Sequence, residues 1–369
     1  MQRKTEMIDV AKIDNNFKIE TSIKKQGIRF YSIDNPPFCI HGVFKEDGMY
    51  RRMPQEVAKK VSDGVFSLHT HTAGGRIRFV TDSPYVALNV KYGGIGRMSH
   101  FTLIGSAGFD MYVREDGREI YSGSFIPPYN LKDGFERLIE FKNNVFDEGQ
   151  VKRREITINM PTYSEVKEVY IGLDENAILE APSPYINEKP IVYYGHSITQ
   201  GGCASRPGYV YPSILSRRYH CDFINLGFSG SARGEVEIAE YIAGLDMKML
   251  IYDYDHNAPN AQFLKQTHGR MFDIIRSAQP DLPIIMLTTT PKLMYGGSND
   301  ERVAVVYDTY QRALANNDKN VYFIKGSTVC DDSDGPAGAT VEGSHLNDIG
   351  FQCLANALAE IMDPLIERA

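Results

Sequence analysis

Four short segments hold the residue types that nucleophilic and acid–base chemistry requires. In Tyr194-Gly195-His196-Ser197-Ile198-Thr199 a serine directly follows an apolar run of strand length. A strand-to-helix turn there exposes the hydroxyl, and the following helix N-terminus offers backbone N–H groups to an anion. The same serine would also serve as a plain helix N-cap. Asn225-Leu226-Gly227-Phe228-Ser229-Gly230 ends a second run. Its glycines suit either a close backbone approach to a ligand or a simple turn. Tyr252-Asp253-Tyr254-Asp255-His256-Asn257 ends a third, where the Asn257 amide is a candidate donor to a developing oxyanion or a loop cap. Thr340-Val341-Glu342-Gly343-Ser344-His345-Leu346-Asn347-Asp348 places an acid three residues ahead of a histidine. That spacing lets the carboxylate fix the imidazole tautomer and stabilise its cation. The alternative is a capping network for the last helix, with Asn347 or Asp348 as the cap and His345 merely packed.

Bringing such segments together needs a scaffold in which several loops converge. Apolar runs at Ile191 to Tyr194, Phe223 to Leu226, Met249 to Tyr252, Ile284 to Leu287 and Val321 to Ile324 predict strands. Between and after them, Tyr209 to Arg218, Glu235 to Ala243, Ala261 to Ala278, Arg302 to Ala315 and Phe351 to Ile366 carry apolar residues at helical spacing. This alternation predicts an α/β fold, a parallel sheet covered by helices on both faces, with functional groups at the carboxyl ends of the strands. From about Asp63 to Leu179 the pattern has period two, as in Gly75 to Val80, Val86 to Val90, Arg154 to Met160 and Val166 to Ile171. It predicts an all-β sandwich or jelly roll, preceded by a less regular arm. The proline-flanked stretch from Pro182 to Pro190 reads as the connection, giving domains 1–182 and 190–369.

Ser197, Gly230, Asn257 and the Glu342/His345 pair occur in the order that resembles the SGNH (GDSL-like) hydrolases, from about Pro190 to the C-terminus. Gly108-Phe109-Asp110-Met111-Tyr112 looks like the G-x-D-L-Y motif of a β-sandwich domain that precedes certain SGNH esterase domains. The resemblance implies a flavodoxin-like three-layer α/β/α domain behind an N-terminal jelly-roll-like β-sandwich. It implies Ser197 as nucleophile, His345 as general base and Glu342 as its orienting acid. The oxyanion would be held by the backbone N–H groups of Ser197 and Gly230 and by the Asn257 amide. His196, Asp255 and His256 are the expected substrate-lining residues, and neither cofactor nor metal is called for. Three positions depart from the family pattern. His196 stands where many relatives have Asp or Ser, Glu342 replaces Asp, and Leu346 follows the base where Pro is common. The extra methylene of Glu342 moves its carboxylate by ~1.5 Å, which a loop absorbs. The likeness extends to two-domain carbohydrate acetyl esterases, so a short acyl ester of a sugar or similar polar metabolite is the expected substrate. A non-catalytic carbohydrate-binding protein on the same scaffold and an acyltransferase are the competing readings.

Composition narrows the partners. Over 369 residues, 40 Lys and Arg against 47 Asp and Glu give a formal net charge of -7, which argues against a phosphate-backbone binder. The polar N-terminus leads into no apolar run long enough for a signal peptide or membrane span, so a cytoplasmic enzyme with no membrane partner is expected. Self-association is left open. Five scattered cysteines with no C-x-x-C pair predict reduced thiols. Two further features are weighed: His69 and His71, expected on one side of a strand and in a packing role, and Arg206, as a surface residue or a substrate contact. Most of the 22 tyrosines are expected in the sandwich core and its rims.

Overall fold

The computed structural model describes residues 19–141, 152–289, 300–330 and 338–367. Period-two alternation builds two antiparallel sheets. In one, strands run in the order Ile28–Ser32, Ser164–Asp174, Tyr85–Ile95, Gly134–Glu140. In the other the order is Leu179–Glu180, Arg76–Thr81, Arg154–Asn159, Phe109–Glu115, Arg118–Phe125, with Cys39–His41 also paired to Arg76–Thr81. Inward positions Ile77, Phe79, Val86, Leu88, Met111, Ile156, Ile158, Val169 and Ile171 fill the space between them.

The opposite face of the strand Arg76–Thr81 does not meet water. Arg76 ion-pairs with Asp222 and donates to the Phe223 carbonyl of the following α/β domain, while its guanidinium lies 3.7 Å from the Phe223 ring centroid. Arg78 pairs with Glu155 at 2.5 Å and stacks over Tyr185. Both arginines are buried, so the sandwich is packed on its neighbour through paired charges and aromatic faces.

The N-terminal half is not all-β. Helices Gln55–Val61, Asp63–Leu68 and Leu103–Ala107 interrupt it. The Ser62 hydroxyl caps the second by accepting from Val65 N–H at 3.2 Å. Ala58, Val61 and Val65 recur at helical spacing and enter the core of the α/β domain beside Ile238 and Ile242, which overrides the strand propensity of the valines. His69 and His71 therefore follow a helix and not a strand. His69 contacts Arg51 at 2.7 Å, and His71 Nδ1 lies 3.1 Å from Gln200 Nε2.

The α/β domain contains five parallel strands in the order Cys221–Gly227, Asn187–Gly195, Met249–Asp253, Ile284–Leu287, Val321–Ile324. Chain order along the sheet is thus 2-1-3-4-5, the flavodoxin-like arrangement, with its switch point between the first and third strands. Val192 and Tyr194 face one layer, made by helices Val236–Ala243, Ala261–Ala278 and Asp300–Ala315. Ile191 and Tyr193 face the other, made by Tyr211–Tyr219 and Asp348–Met362. Burial on both faces explains the unbroken apolar runs of these strands. Gly195 pairs in register with Gly227 and Asp253, so the first three strands end level and their loops open at one rim. No described helix is long and apolar enough to cross a membrane.

Candidate active site

Ser197 opens a single helical turn, Ser197–Gln200, directly beyond the strand end at Gly195, and its side chain is half-buried. The cap of that turn is the neighbouring histidine: His196 Nδ1 accepts from Ile198 N–H at 3.2 Å. A ring nitrogen that accepts carries no proton, so His196 is the Nε2–H tautomer. That Nε2 lies 3.0 Å from Thr289 Oγ1 and 3.2 Å from Asp253 Oδ1. Thr289 Oγ1 in turn donates to Asp255 Oδ1 at 2.6 Å, and Thr289 N–H donates to the same carboxylate. His196 is 3% exposed and Asp255 1%. Both residues, expected to line the substrate, are buried, and their polar atoms make hydrogen bonds inside the protein, behind the nucleophile turn. Burial and the adjacent Asp253 push the Asp255 carboxyl above its ordinary range.

His345 reaches Ser197 from the far end of the chain. Its Nε2 accepts from Ser197 Oγ at 2.9 Å, and its Nδ1 donates to Glu342 Oε1 at 2.6 Å. The same Oε1 also accepts the His345 backbone N–H at 3.0 Å. The loop is closed by Val341 N–H to His345 O at 2.9 Å and by Gly343 N–H to Thr340 Oγ1 at 2.9 Å. Burial pushes the Glu342 carboxyl up. The His345 hydrogen bonds and charge, with a smaller contribution from His100, outweigh it and hold the group below the usual glutamate range. The capping network exists as well: Asn347 Oδ1 accepts from Gly350 N–H at 3.1 Å. The two readings of this segment are compatible because the cap and the histidine use different residues. Asp348 instead ties down the loop after the nucleophile, accepting from Ser205 N–H at 2.9 Å and from its hydroxyl.

Gly230 takes φ +68° and a Cβ there would meet nothing within 4 Å, so the left-handed backbone, and not crowding, selects glycine. Asn257 closes a 3-10 turn, Asp255–Asn257, and one amide hydrogen is held by the Phe228 carbonyl at 3.0 Å. That bond ties the loops after the second and third strands together and fixes the plane of the amide, whose Nδ2 has a second hydrogen to give. His256 is half-buried in the same turn, its ring centroid 6.4 Å from that of His196.

The β-sandwich supplies groups that the sequence did not single out. Tyr163 OH donates to the Ser197 carbonyl at 3.3 Å, and the His100 ring centroid lies 5.3 Å from that of His345. Gln200 links the site to the sandwich, its Nε2 donating to Thr162 O at 3.2 Å while its Oε1 accepts Ser229 N–H at 2.9 Å. Arg206 is half-buried, lying 3.4 Å from Asp110 with its guanidinium 4.4 and 4.6 Å from the ring centroids of Tyr121 and Tyr209. Among the described residues two groups have the donor types of a metal site, His100 with Cys203 and His345, and His196 with Asp253 and Asp255. The second is already engaged in the hydrogen bonds behind Ser197.

Residues 188–363 match the model of the GDSL-like lipase/acylhydrolase family, and residues 28–179 match the N-terminus of the SGNH-hydrolase type of esterase, designated GxDLY. A comparison with curated proteins found no match. Among solved structures, a protein described as a GDSL-like lipase from Bacteroides ovatus superposes with a TM-score of 0.81 at 26% identity, covering 92% of this chain and 99% of that one. A salicylyl-acyltransferase from a tetracycline biosynthetic pathway gives 0.71 at 18% identity, over 93% and 98%. A family two carbohydrate esterase from Clostridium thermocellum, in an active-site mutant form, gives 0.60 at 15% identity, over 90% and 99%. The latter two share the fold. The α/β domain thus matches the GDSL-like lipase/acylhydrolase family, and the β-sandwich ahead of it matches the GxDLY type of N-terminal domain that accompanies SGNH-hydrolase esterases.

Proposed function

We propose that this protein is a serine esterase that removes short acyl groups, acetyl above all, from a carbohydrate or similar polar metabolite. The observation that carries the proposal is the hydrogen-bonded line Glu342–His345–Ser197, with links of 2.6 and 2.9 Å. Ser197 Oγ attacks the ester carbonyl as its proton passes to His345 Nε2, and Glu342 stabilises the resulting imidazolium. The tetrahedral oxyanion is met by the backbone N–H groups of Ser197 and Gly230 and by the free hydrogen of the Asn257 amide. His345 then protonates the leaving alcohol. In the second half-reaction His345 takes a proton from water, which attacks the acyl-serine and restores the enzyme. Buried His196 holds the turn that presents Ser197 without entering the chemistry. The carbohydrate-esterase neighbour supports a sugar ester, and the scattered spacing of the five cysteines is in keeping with a cytoplasmic setting.

Acyl transfer to a second alcohol uses the same residues, and the salicylyl-acyltransferase neighbour favours it as the second reading. Acetylated sugars and p-nitrophenyl esters of increasing chain length, assayed with and without an added sugar acceptor, separate the two. Free acid with acetyl preference is the expected outcome, and a dominant acylated-acceptor product would replace hydrolysis with transfer. Stoichiometric labelling of Ser197 by a fluorophosphonate is expected, and failure to label would favour the non-catalytic binding protein.

A further inference from the structure

The rim of the site holds a second set of donors whose chemistry is not that of ester hydrolysis. One ring nitrogen each of His100 and His345 and the sulfur of Cys203 lie within 4.8 Å of one another. Two imidazoles and a thiol are a soft set that suits Zn²⁺ in preference to Mg²⁺ or Ca²⁺. The three residues come from distant parts of the chain and are held there independently. Cys203 takes the left-handed backbone conformation, φ +72°, uncommon for a residue with a side chain, and packs with Phe101 and Tyr163. His100 adjoins Phe101 in that cluster, and the next residue, Thr102, donates its hydroxyl to Ser205 O at 2.9 Å. The loop carrying exposed His100 is thus pinned against the segment that follows the nucleophile. His345 Nδ1 is bound to Glu342, and Cδ2, the ring atom next to Nε2, would lie 3.6 Å from a Cβ built on Gly202. Its Nε2 edge therefore faces the Gly202-Cys203 segment.

We propose that His100, Cys203 and His345 form an inhibitory Zn²⁺ site that spans the two domains. Tetrahedral zinc needs N and S donors at roughly 2.0–2.3 Å, so the donors must close by ~1 Å, a movement that rotation of the exposed His100 ring can supply. Cys203 is a protonated thiol before binding, burial having pushed it up to about 12, and on coordination it releases that proton to solvent. His345 Nε2 gives the metal the lone pair with which it accepts the Ser197 proton. The serine then keeps its hydrogen and acyl transfer stops. Glu342, hydrogen-bonded to Nδ1, steadies the ligated ring as a carboxylate does in other histidine–zinc sites.

The test uses the purified full chain after chelation, titrated with Co²⁺ as a spectroscopic probe and with Zn²⁺ as competitor. Tetrahedral d–d bands and a thiolate-to-cobalt charge-transfer band are expected. Cys203→Ser is expected to abolish the charge-transfer band, and His100→Ala to weaken Zn²⁺ binding about tenfold or more, as one of three protein donors is removed. In parallel, the half-inhibitory Zn²⁺ concentration for p-nitrophenyl acetate hydrolysis should rise by a similar factor in His100→Ala. Because His100 is exposed, its truncation leaves the fold intact and keeps the test decisive even if Cys203→Ser does not fold. A wild-type spectrum lacking the thiolate band, a band that survives Cys203→Ser, or Zn²⁺ affinity unchanged by His100→Ala overturns the site. The inhibition assay rests on the esterase reading, whereas the spectral titration does not, so failure of one is distinguishable from failure of the other.

Discussion

Asp110 of the β-sandwich accepts the backbone N–H of Gly208, in the segment that leads away from the nucleophile, at 2.9 and 3.1 Å through its two oxygens. It is fully buried, and Asn159 Nδ2 donates to it at 2.9 Å. The aspartate of the G-x-D-L-Y motif thus fastens the first domain to the backbone of the second. Gly208 has no room for a side chain: a Cβ there would lie 2.5 Å from Asp110 Oδ2 and 2.6 Å from the Tyr112 ring. Gly208→Ala is expected to force the two domains apart locally and to lower stability by about 1–3 kcal/mol, the usual cost of overpacking. Denaturant unfolding of the variant checks this, and an unchanged midpoint would show that the interface yields freely.

The same carboxyl gives a pH signature. Burial raises Asp110 to about 6, against the hydrogen bond from Asn159 and the charges of Arg217 and Arg206. A folded-state value above the unfolded one means that the folded chain binds the extra proton, so this contribution to stability is complete below about pH 4 and is lost as pH rises through about 6. Its full size is on the order of 3 kcal/mol. Asp110→Asn cannot titrate. The melting temperature of the wild type relative to that of Asp110→Asn is expected to fall between pH 4 and 7, and a constant difference would remove Asp110 as the source.

His196 and Asp253, 3.2 Å apart and both buried, make a second testable pair. Asparagine at 196 can still offer an oxygen to Ile198 N–H. Aspartate, the residue many SGNH relatives carry there, can cap equally well but adds a third carboxylate beside Asp253 and Asp255. Unpaired buried charge of like sign is costly, so His196→Asp should be less stable than His196→Asn by about 1–3 kcal/mol. Thermal unfolding of the two variants side by side decides it, and equal stability would mean that the pocket accommodates the charge. Neither variant is expected to raise KM as a lost substrate contact would, since the ring does not reach the surface.

Much of this was legible in the sequence, for reasons that particular elements make plain. Parallel strands buried on both faces show as apolar runs, and the helix predicted over Ala261–Ala278 has those bounds in the structure. Glu342 and His345 share one loop, so their relation is a spacing. His100 is an exposed loop residue whose partner lies in the other domain, and no local pattern marks such a contact. The inward turn of His196 depends on Thr289 and Asp253, which only the folded sheet brings near. The helices from Gln55 to Leu68 did leave a signal in Ser62 and the spacing of Ala58, Val61 and Val65, but it adjoins a region whose period-two pattern dominates.

The division of labour between Glu342 and His345 can be read from the size of two losses. His345 transfers the proton, so His345→Ala should reduce turnover of a short p-nitrophenyl ester about as severely as Ser197→Ala, by roughly 10⁴-fold or more. Glu342→Gln keeps an oxygen that can accept the Nδ1 proton at the position of the present 2.6 Å bond but lacks the charge that stabilises the imidazolium. Its loss of turnover should be smaller than that of His345→Ala by about 10–100-fold, with KM little changed because neither group is needed to bind the ground state. Asn257→Ala should cost about 10²–10³ in turnover through the oxyanion alone. If Glu342→Gln proved as damaging as His345→Ala, the 3.0 Å bond from the His345 backbone to the same oxygen would be the reason to examine, because losing it would release the whole loop and not merely the charge.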